Sequence, residues 1–340
     1  MRLIETVTPA PAHAIVSPVS STGKLLLRSA RWPAVVKPGA GEPAGTVLLC
    51  TGRSEFIEKY FEVIEELRQR GLAVVVFEWR GQGLSDRLLR NPLNGHVRSF
   101  VDYEQDLDAV VRQVLEPFCP RPWFGLAHSM GGPVILHYAA KRPEVFRRLV
   151  LSAPMIEIAR APTTTAAPLL AKWAVQTGLG RSVVPLRRDR ALFVSTFEGN
   201  VLTSDLARFE RTAALLAAEP RLGLGLPTFG WLNAAFASMA ALQRESFTRV
   251  FRTPMLVIMP GDDQVVGIRA AERLVSRLPA SAMVMVRGAR HEVLMERDEL
   301  REQFWLAFDA FVPGSRLAQP FVENTSAEPR RSSAWRAAGT

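Results

Sequence analysis

The chain has 340 residues, 48% of them hydrophobic and 22% charged, and 42 Lys and Arg against 33 Asp and Glu leave a formal charge of +9. That length holds two or three ordinary domains or one large α/β domain, and it buries enough core to need no disulfide or metal staple. The apolar content excludes a disordered polycation, the lack of any run of 18 apolar residues speaks against a membrane-spanning helix, and two cysteines (Cys50, Cys119) exclude a disulfide framework or a cysteine-based zinc site.

In chain order, residues 1–23 read as a loose arm, because Pro and Ser are scattered through them and neither the apolar core nor the cleavage site of a secretory signal is visible. The expected compartment is therefore a reducing cytoplasm, with Cys50 and Cys119 as free thiols. Thr46–Thr51 is a short apolar strand, Glu58–Arg70 a helix stopped by Gly71, and Ala73–Glu78 a second buried strand. Asp102–Phe118 is helical, Trp123–His128 a strand, Met130–Lys141 helical and Arg148–Ser152 a strand. After a gap come strand Met255–Met259, helix Arg269–Leu278, strand Met283–Val286 and helix Leu300–Phe311. Near-continuous apolar strands alternating with amphipathic helices predict an α/β fold, a mostly parallel sheet with helices on both faces. The gap, residues 154–253, is far longer than a normal connection and has helical patterns at Thr165–Thr177, Thr203–Glu219 and Trp231–Leu242. It reads as a helical cap inserted into a core of residues 24–153 and 254–312, followed by a disordered tail at 313–340.

Strand Trp123–His128 runs straight into Ser129-Met130-Gly131-Gly132 and a helix. A serine on such a turn is held at the carboxyl edge of the sheet with its hydroxyl exposed, and small residues two places either side relieve crowding. Ala127 stands where glycine is more usual. A serine hydroxyl needs a base to attack, and there are five histidines. His13 is in the arm and His96 in the loop at 91–98. His128 adjoins the serine on a strand, where neighbours point to opposite faces. His137 is eight residues into the following helix, expected against the sheet. His291 lies in Gly288-Ala289-Arg290-His291-Glu292, after the last strand, where loops converge on such a site. It is the best base. The orienting carboxylate is expected after strand Met255–Met259, in Gly261-Asp262-Asp263; Asp263 is favoured and Asp262 stays open. The order serine, acid, histidine is that of the α/β hydrolases. An oxyanion hole needs two N–H donors: Met130 supplies one, and Arg53, beside Gly52 after strand Thr46–Thr51, the other. Gly81-Gln82-Gly83 lacks the third glycine of a dinucleotide fingerprint and the lysine of a phosphate loop, and His291-Glu292 is not followed by a second histidine, so no cofactor and no metal are expected.

The segments Gly52-Arg53-Ser54-Glu55-Phe56-Ile57-Glu58-Lys59-Tyr60, Trp79-Arg80-Gly81-Gln82-Gly83-Leu84-Ser85, Gly95-His96-Val97, Ala127-His128-Ser129-Met130-Gly131-Gly132 and Gly288-Ala289-Arg290-His291-Glu292 resemble the lysophospholipase L2 branch of the monoacylglycerol-lipase-like serine hydrolases. The resemblance spans about Leu25 to Val312, including Thr228–Ala240 in the cap. It implies an α/β-hydrolase fold with a helical cap, Ser129 as nucleophile, Asp263 as acid and His291 as base.

Substrate is the cap's to decide. It holds Phe193, Phe197, Phe209, Phe229, Trp231, Phe236 and Met239, enough for an apolar acyl tunnel, with Phe197, Trp231 and Phe236 as its expected lining; cap core is the competing use. From Met155 to Val250 there are 11 basic against 7 acidic residues, +4, a balance that suits peripheral contact with an anionic membrane at its inner face as well as plain solvation. No basic helix, finger or stacking sheet accompanies the charge, so no nucleic acid is expected. The leading expectation is an ester hydrolase of the lysophospholipase or monoacylglycerol-lipase type. Its rivals are a peptidase of the proline iminopeptidase type, an esterase with a small non-lipid substrate, and a silent hydrolase fold with Ser129 out of reach of His291.

Overall fold

Four segments buried at every residue, Gly45–Cys50, Leu72–Phe77, Trp123–His128 and Met255–Pro260, have no solvent face, and such strands require cover on both sides. In the computed structural model, which describes residues 1–36, 41–159, 161, 165–185 and 196–315, they form the centre of an eight-stranded sheet. The strands are β1 (Ile15–Ser21), β2 (Leu25–Trp32), β3 (Gly45–Cys50), β4 (Leu72–Phe77), β5 (Trp123–His128), β6 (Arg148–Ser152), β7 (Met255–Pro260) and β8 (Ser281–Val286), in the order β1-β2-β4-β3-β5-β6-β7-β8. β3 to β8 run parallel; β2 is antiparallel to β4, and β1 to β2. Alternate residues feed opposite cores. Val47 and Leu49 meet Ile64, Leu67, Phe304 and Phe308 of helices Phe61–Gln69 and Asp298–Phe311. Leu48 and Cys50 meet Leu107, Val134 and Leu274 of helices Phe100–Val110, Gly131–Lys141 and Ile268–Val275 on the other face.

The first 32 residues differ from expectation. The arm expected over 1–23 is tied down: Ile15–Ser21 is the edge strand β1, the Ile4 amide donates to Glu58 at 2.9 Å, and Trp32 Nε1 donates to the Pro11 carbonyl at 3.0 Å. β1 carries Pro18 and buries Val19 fully, so its pattern is that of a solvated edge. β2 reads as polar because Arg28 lies in it, yet Arg28 is fully buried between Glu58 and Glu78. At the other end, Ser315 is buried and its hydroxyl donates to Asp309 at 2.6 Å, so order extends into the expected tail; residues 316–340 lie outside the described residues.

Between β6 and β7 the described parts form helices Ala167–Gln176, Leu206–Ala218, Phe229–Leu242 and Glu245–Val250. Helix Phe229–Leu242 packs on Ala167–Gln176 and reaches down to Gly131–Lys141. Thr228 caps it by accepting from the Trp231 amide at 3.2 Å, and the same hydroxyl bonds His96 Nδ1 at 2.8 Å. The loop at 91–98 thereby clasps this segment, helped by Gly95 N to the Leu226 carbonyl and Thr228 N to the Gly95 carbonyl. Strand order reverses at β3, which lies between β4 and β5. The crevice outside the carboxyl ends of β3 and β5 is where ligands bind in such sheets.

Candidate active site

Ser129 follows β5 in a left-handed conformation, φ 46°, a strained state for a residue with a Cβ. The turn is locked: its amide donates to the Ser152 carbonyl at 3.1 Å, and its carbonyl accepts from Gly132 and Met155, both at 3.0 Å. The helix enters so tightly that a Cβ on Gly131 would lie 2.4 Å from the Cys50 carbonyl oxygen, and one on Gly132 2.6 Å from Pro154 Cβ. Ala127 is fully buried between Cys50 of β3 and Leu151 of β6, where its methyl fits.

The loop after β8 carries His291 to this turn. His291 Nε2 is 3.1 Å from Ser129 Oγ, and Nδ1 is 2.8 Å from Asp263 Oδ2. A carboxylate at Nδ1 places the proton there and leaves Nε2 as acceptor for the serine hydroxyl. The Asp263 side chain is fully buried, and its other oxygen accepts from the Val265 and Val266 amides at 2.7 and 3.0 Å. Burial opposes its ionisation, but the bond to His291 and those two amides outweigh it and hold the carboxyl below its ordinary range. Asp262, one residue earlier, is exposed, with its amide tied to the Ala289 carbonyl at 2.9 Å. The geometry thus separates the two aspartates that the sequence left open.

Arg53 and Met130 lie on the turns after β3 and β5, and among the described residues neither backbone amide donates to another group of the chain. Gln82 spans the two turns: its Oε1 accepts from the Ser54 amide at 2.6 Å and its Nε2 lies 3.5 Å from Met130 Sδ.

Beneath the site is a buried ionic set that reading by residue type missed. The Glu55 carboxylate accepts from the Gly52 amide, from Tyr60 Oη at 2.6 Å, from Lys59 Nζ at 2.9 Å and from His128 Nδ1 at 3.1 Å. Lys59 also reaches Glu292 at 2.5 Å, and His128 Nε2 lies 3.3 Å from the His291 carbonyl oxygen. Acceptors at both ring nitrogens favour the protonated form of His128. Burial pushes its pKa down, but Glu55 pushes it up by more; Glu55 in turn is held well below the carboxylate range against its own burial. Two cations and two anions close the set, which holds Gly52 and the His291 backbone. The visible signal was the spacing of Glu55, Lys59 and Tyr60.

The remaining histidines lie elsewhere. His137 does not face the sheet: its Nε2 is 3.1 Å from both the carbonyl and the hydroxyl of Ser238 in helix Phe229–Leu242. His96 is the Thr228 partner described above, and His13 is exposed near the start of the chain. Cys50 and Cys119 are free thiols.

Ser129 and His291 open on a cavity of about 270 Å³ whose walls include Phe209, Leu216, Trp231 and Leu232. Of the expected lining, only Trp231 is on the wall. Phe197 stands one ring behind, edge-on to Phe209 at 5.5 Å. Phe236 belongs to the core: five residues beyond Trp231, it points about 140° round the helix and packs among buried apolar side chains. Phe193 lies outside the described residues. Among the described residues no cluster of three His, Cys, Asp or Glu could hold a metal ion, and no helix is long and apolar enough to cross a membrane.

This strand order, with a serine on the sharp turn after the central strand β5, defines an α/β hydrolase. A family model described as serine aminopeptidase, S33, matches residues 41–298, and the chain belongs to that hydrolase family. It is 33% identical over 265 residues to lysophospholipase L2 of Escherichia coli, covering 75% of this chain and 76% of that protein. It is 25% identical over 266 residues to a probable lysophospholipase L2 of Haemophilus influenzae, covering 78% and 83%. Among solved structures, a soluble variant of monoglyceride lipase from Saccharomyces cerevisiae, in complex with a substrate analog, superposes with a TM-score of 0.69 at 21% identity, over 90% of this chain and 98% of that one.

Proposed function

We propose that the protein is a serine carboxylic-ester hydrolase acting on single-chain lipids of the lysophospholipid and monoacylglycerol type. The observation that carries this reading is the hydrogen-bonded line from Asp263 through His291 to Ser129, opening on an apolar cavity. Ser129 Oγ attacks the ester carbonyl as His291 Nε2 takes its proton. Asp263 keeps the imidazole in the needed tautomer and stabilises the imidazolium. The Arg53 and Met130 amides receive the oxyanion. His291 returns the proton to the leaving alcohol, then activates the water that releases the fatty acid from Ser129. Residues 154–253 act as a cap on a core of 24–153 and 254–312, with Phe209, Leu216, Trp231 and Leu232 receiving the acyl chain.

Two further observations bear on substrate. Helix Ala167–Gln176 exposes Leu169 (71%), Leu170 (61%) and Trp173 (60%) beside the exposed Lys172. An apolar face with a cation beside it suits the interface of an anionic membrane, where single-chain lipids reside. The family description raises an aminopeptidase as a second reading, which needs a free carboxylate to anchor the substrate amine. Among the described residues, both carboxylates on the cavity wall, Glu55 and Glu292, are already paired with Lys59, which favours the ester. Ser129→Ala is expected to lower kcat on monoacylglycerol and lysophospholipid at least ~1000-fold and to abolish fluorophosphonate labelling; retained turnover refutes the assignment. Aminoacyl-naphthylamide hydrolysis faster than ester hydrolysis would favour the peptidase.

A further inference from the structure

Among the described residues, three lysine or arginine side chains line the cavity: Lys59, Arg208 and Arg53. Lys59 lies between Glu55 and Glu292, and Arg208 is held by Glu62, Asp205 and Asp298. Arg53 has no carboxylate partner among the described residues. Its Nη1 donates to Ser54 Oγ at 3.1 Å and its Nη2 to the Gly225 carbonyl, while Nε is sealed from solvent with no acceptor at all. The Trp231 ring lies 5.2 Å from the guanidinium carbon. The deeply buried arginine of β2 is the opposite case, since Arg28 is neutralised by two carboxylates. Burial with no acid beside it pulls the Arg53 guanidinium down to about 10, which leaves it charged at neutral pH. A half-buried cation without a counterion attracts an anion more strongly than a fully exposed one does. A planar guanidinium also suits phosphate oxygens.

The Arg53 amide is one of the two proposed oxyanion donors, so its side chain starts where the ester carbonyl would sit and carries its charge along the wall below Gly225 and Trp231. Gly95 leaves room there: a Cβ on it would lie 2.5 Å from Arg53 Nη2. A lysophospholipid has its phosphodiester a few bonds from the acyl ester, on the glycerol side; a monoacylglycerol has a neutral hydroxyl in the same place.

We propose that the Arg53 guanidinium is an anion subsite that binds the lipid phosphodiester and selects lysophospholipid over monoacylglycerol. The proposal rests on the ester-hydrolase reading above. It is tested with the full chain by measuring kcat/KM on 1-oleoyl-lysophosphatidylcholine and 1-oleoylglycerol in the same detergent, for the wild type, Arg53→Gln and Arg53→Lys, each checked for fluorophosphonate labelling. Arg53→Gln is expected to lower the lysophospholipid-to-monoacylglycerol ratio 10- to 100-fold, chiefly through KM, and Arg53→Lys to recover part of it. A ratio within twofold of wild type in Arg53→Gln overturns the proposal and leaves Arg53 as a clasp on Gly225. A wild-type measurement stands apart from any folding defect: glycerophosphocholine should compete against p-nitrophenyl butyrate where glycerol does not. No competition, or equal competition by inorganic phosphate, overturns the headgroup assignment. Wild-type protein that hydrolyses neither lipid brings down the ester-hydrolase reading itself, and the subsite with it.

Discussion

On the sheet side of the cavity, Ser129, Asp263 and His291 sit on the turns and loops after β5, β7 and β8, above an ionic set in which each charge meets its opposite. On the other side, the segment at 154–253 is attached by separate clasps. Arg208 and Arg211 hold Glu62, Thr203 Oγ1 donates to the Met295 carbonyl at 2.6 Å, and the loop at 91–98 holds residues 225–228. Ser129 and His291 of the first region are buried, whereas the second leaves Leu169, Leu170 and Trp173 in solvent. Chemistry that needs atoms held within a fraction of an ångström belongs on rigid elements, and a surface that admits lipid tolerates looser attachment. The two sides should therefore fail differently when perturbed.

The sheet side should fail in kcat. Asp263→Asn keeps an oxygen for the Val265 and Val266 amides but presents an NH2 to His291 Nδ1, stabilising the wrong tautomer. A fall in kcat of ~10³–10⁴-fold with little change in Tm is expected; a loss under tenfold would remove Asp263 from the mechanism. Gln82→Ala frees the Ser54 amide and loosens the turn carrying Arg53, with an expected fall in kcat of ~30-fold at nearly constant KM. A change confined to KM would assign Gln82 to binding instead.

The other side should fail in access and attachment. Replacing Leu169, Leu170 and Trp173 together by Ser is expected to cut hydrolysis of lipid in anionic vesicles about tenfold relative to hydrolysis of dissolved p-nitrophenyl butyrate. An unaltered ratio would remove this face from the proposed membrane contact. The smallest effect is on the clasp. Burial works against ionisation of Glu62, but Arg208, Arg301 and Arg211 prevail and bring its carboxyl down to about 2. A folded-state value below the unfolded one stabilises above about pH 4.5, and that stability drains away as pH falls toward 2. Glu62→Gln should cost on the order of 1–2 kcal/mol at pH 7 after solvent screening and flatten part of the acid slope of Tm. An acid slope identical to wild type would mean that other carboxylates carry it.

What could be read from the chain follows the range of the interactions involved. The parallel sheet was legible because β3, β4, β5 and β7 are uniformly apolar and separated by amphipathic helices. Ser129 was legible because it stands at the end of such a strand, and His291 because it lies in the loop after the last strand; both are local patterns. Cys50 illustrates how little else was needed there: its alternation with Leu49 sorts the strand between the two cores. β1 and β2 were not legible. The first is a half-solvated edge, and the second contains an arginine whose burial makes sense only once Glu58 and Glu78, 30 and 50 residues away, are beside it.

The same division runs through the site. Sequence by itself determined the parallel strands β3 to β8, that a serine sits at the turn after β5, and that some hundred residues separate β6 from β7, because these depend on periodicity and turn chemistry within a few residues. Only the tertiary structure brought Asp263 rather than Asp262 to His291, turned Phe236 into the core while bringing Phe209 to the cavity wall, joined Glu55, Lys59, His128 and Glu292 into one buried set, and left Arg53 without a carboxylate partner among the described residues. Each of those outcomes depends on which distant groups arrive within hydrogen-bonding or van der Waals range of a side chain, and that is decided by packing rather than by neighbours in the chain.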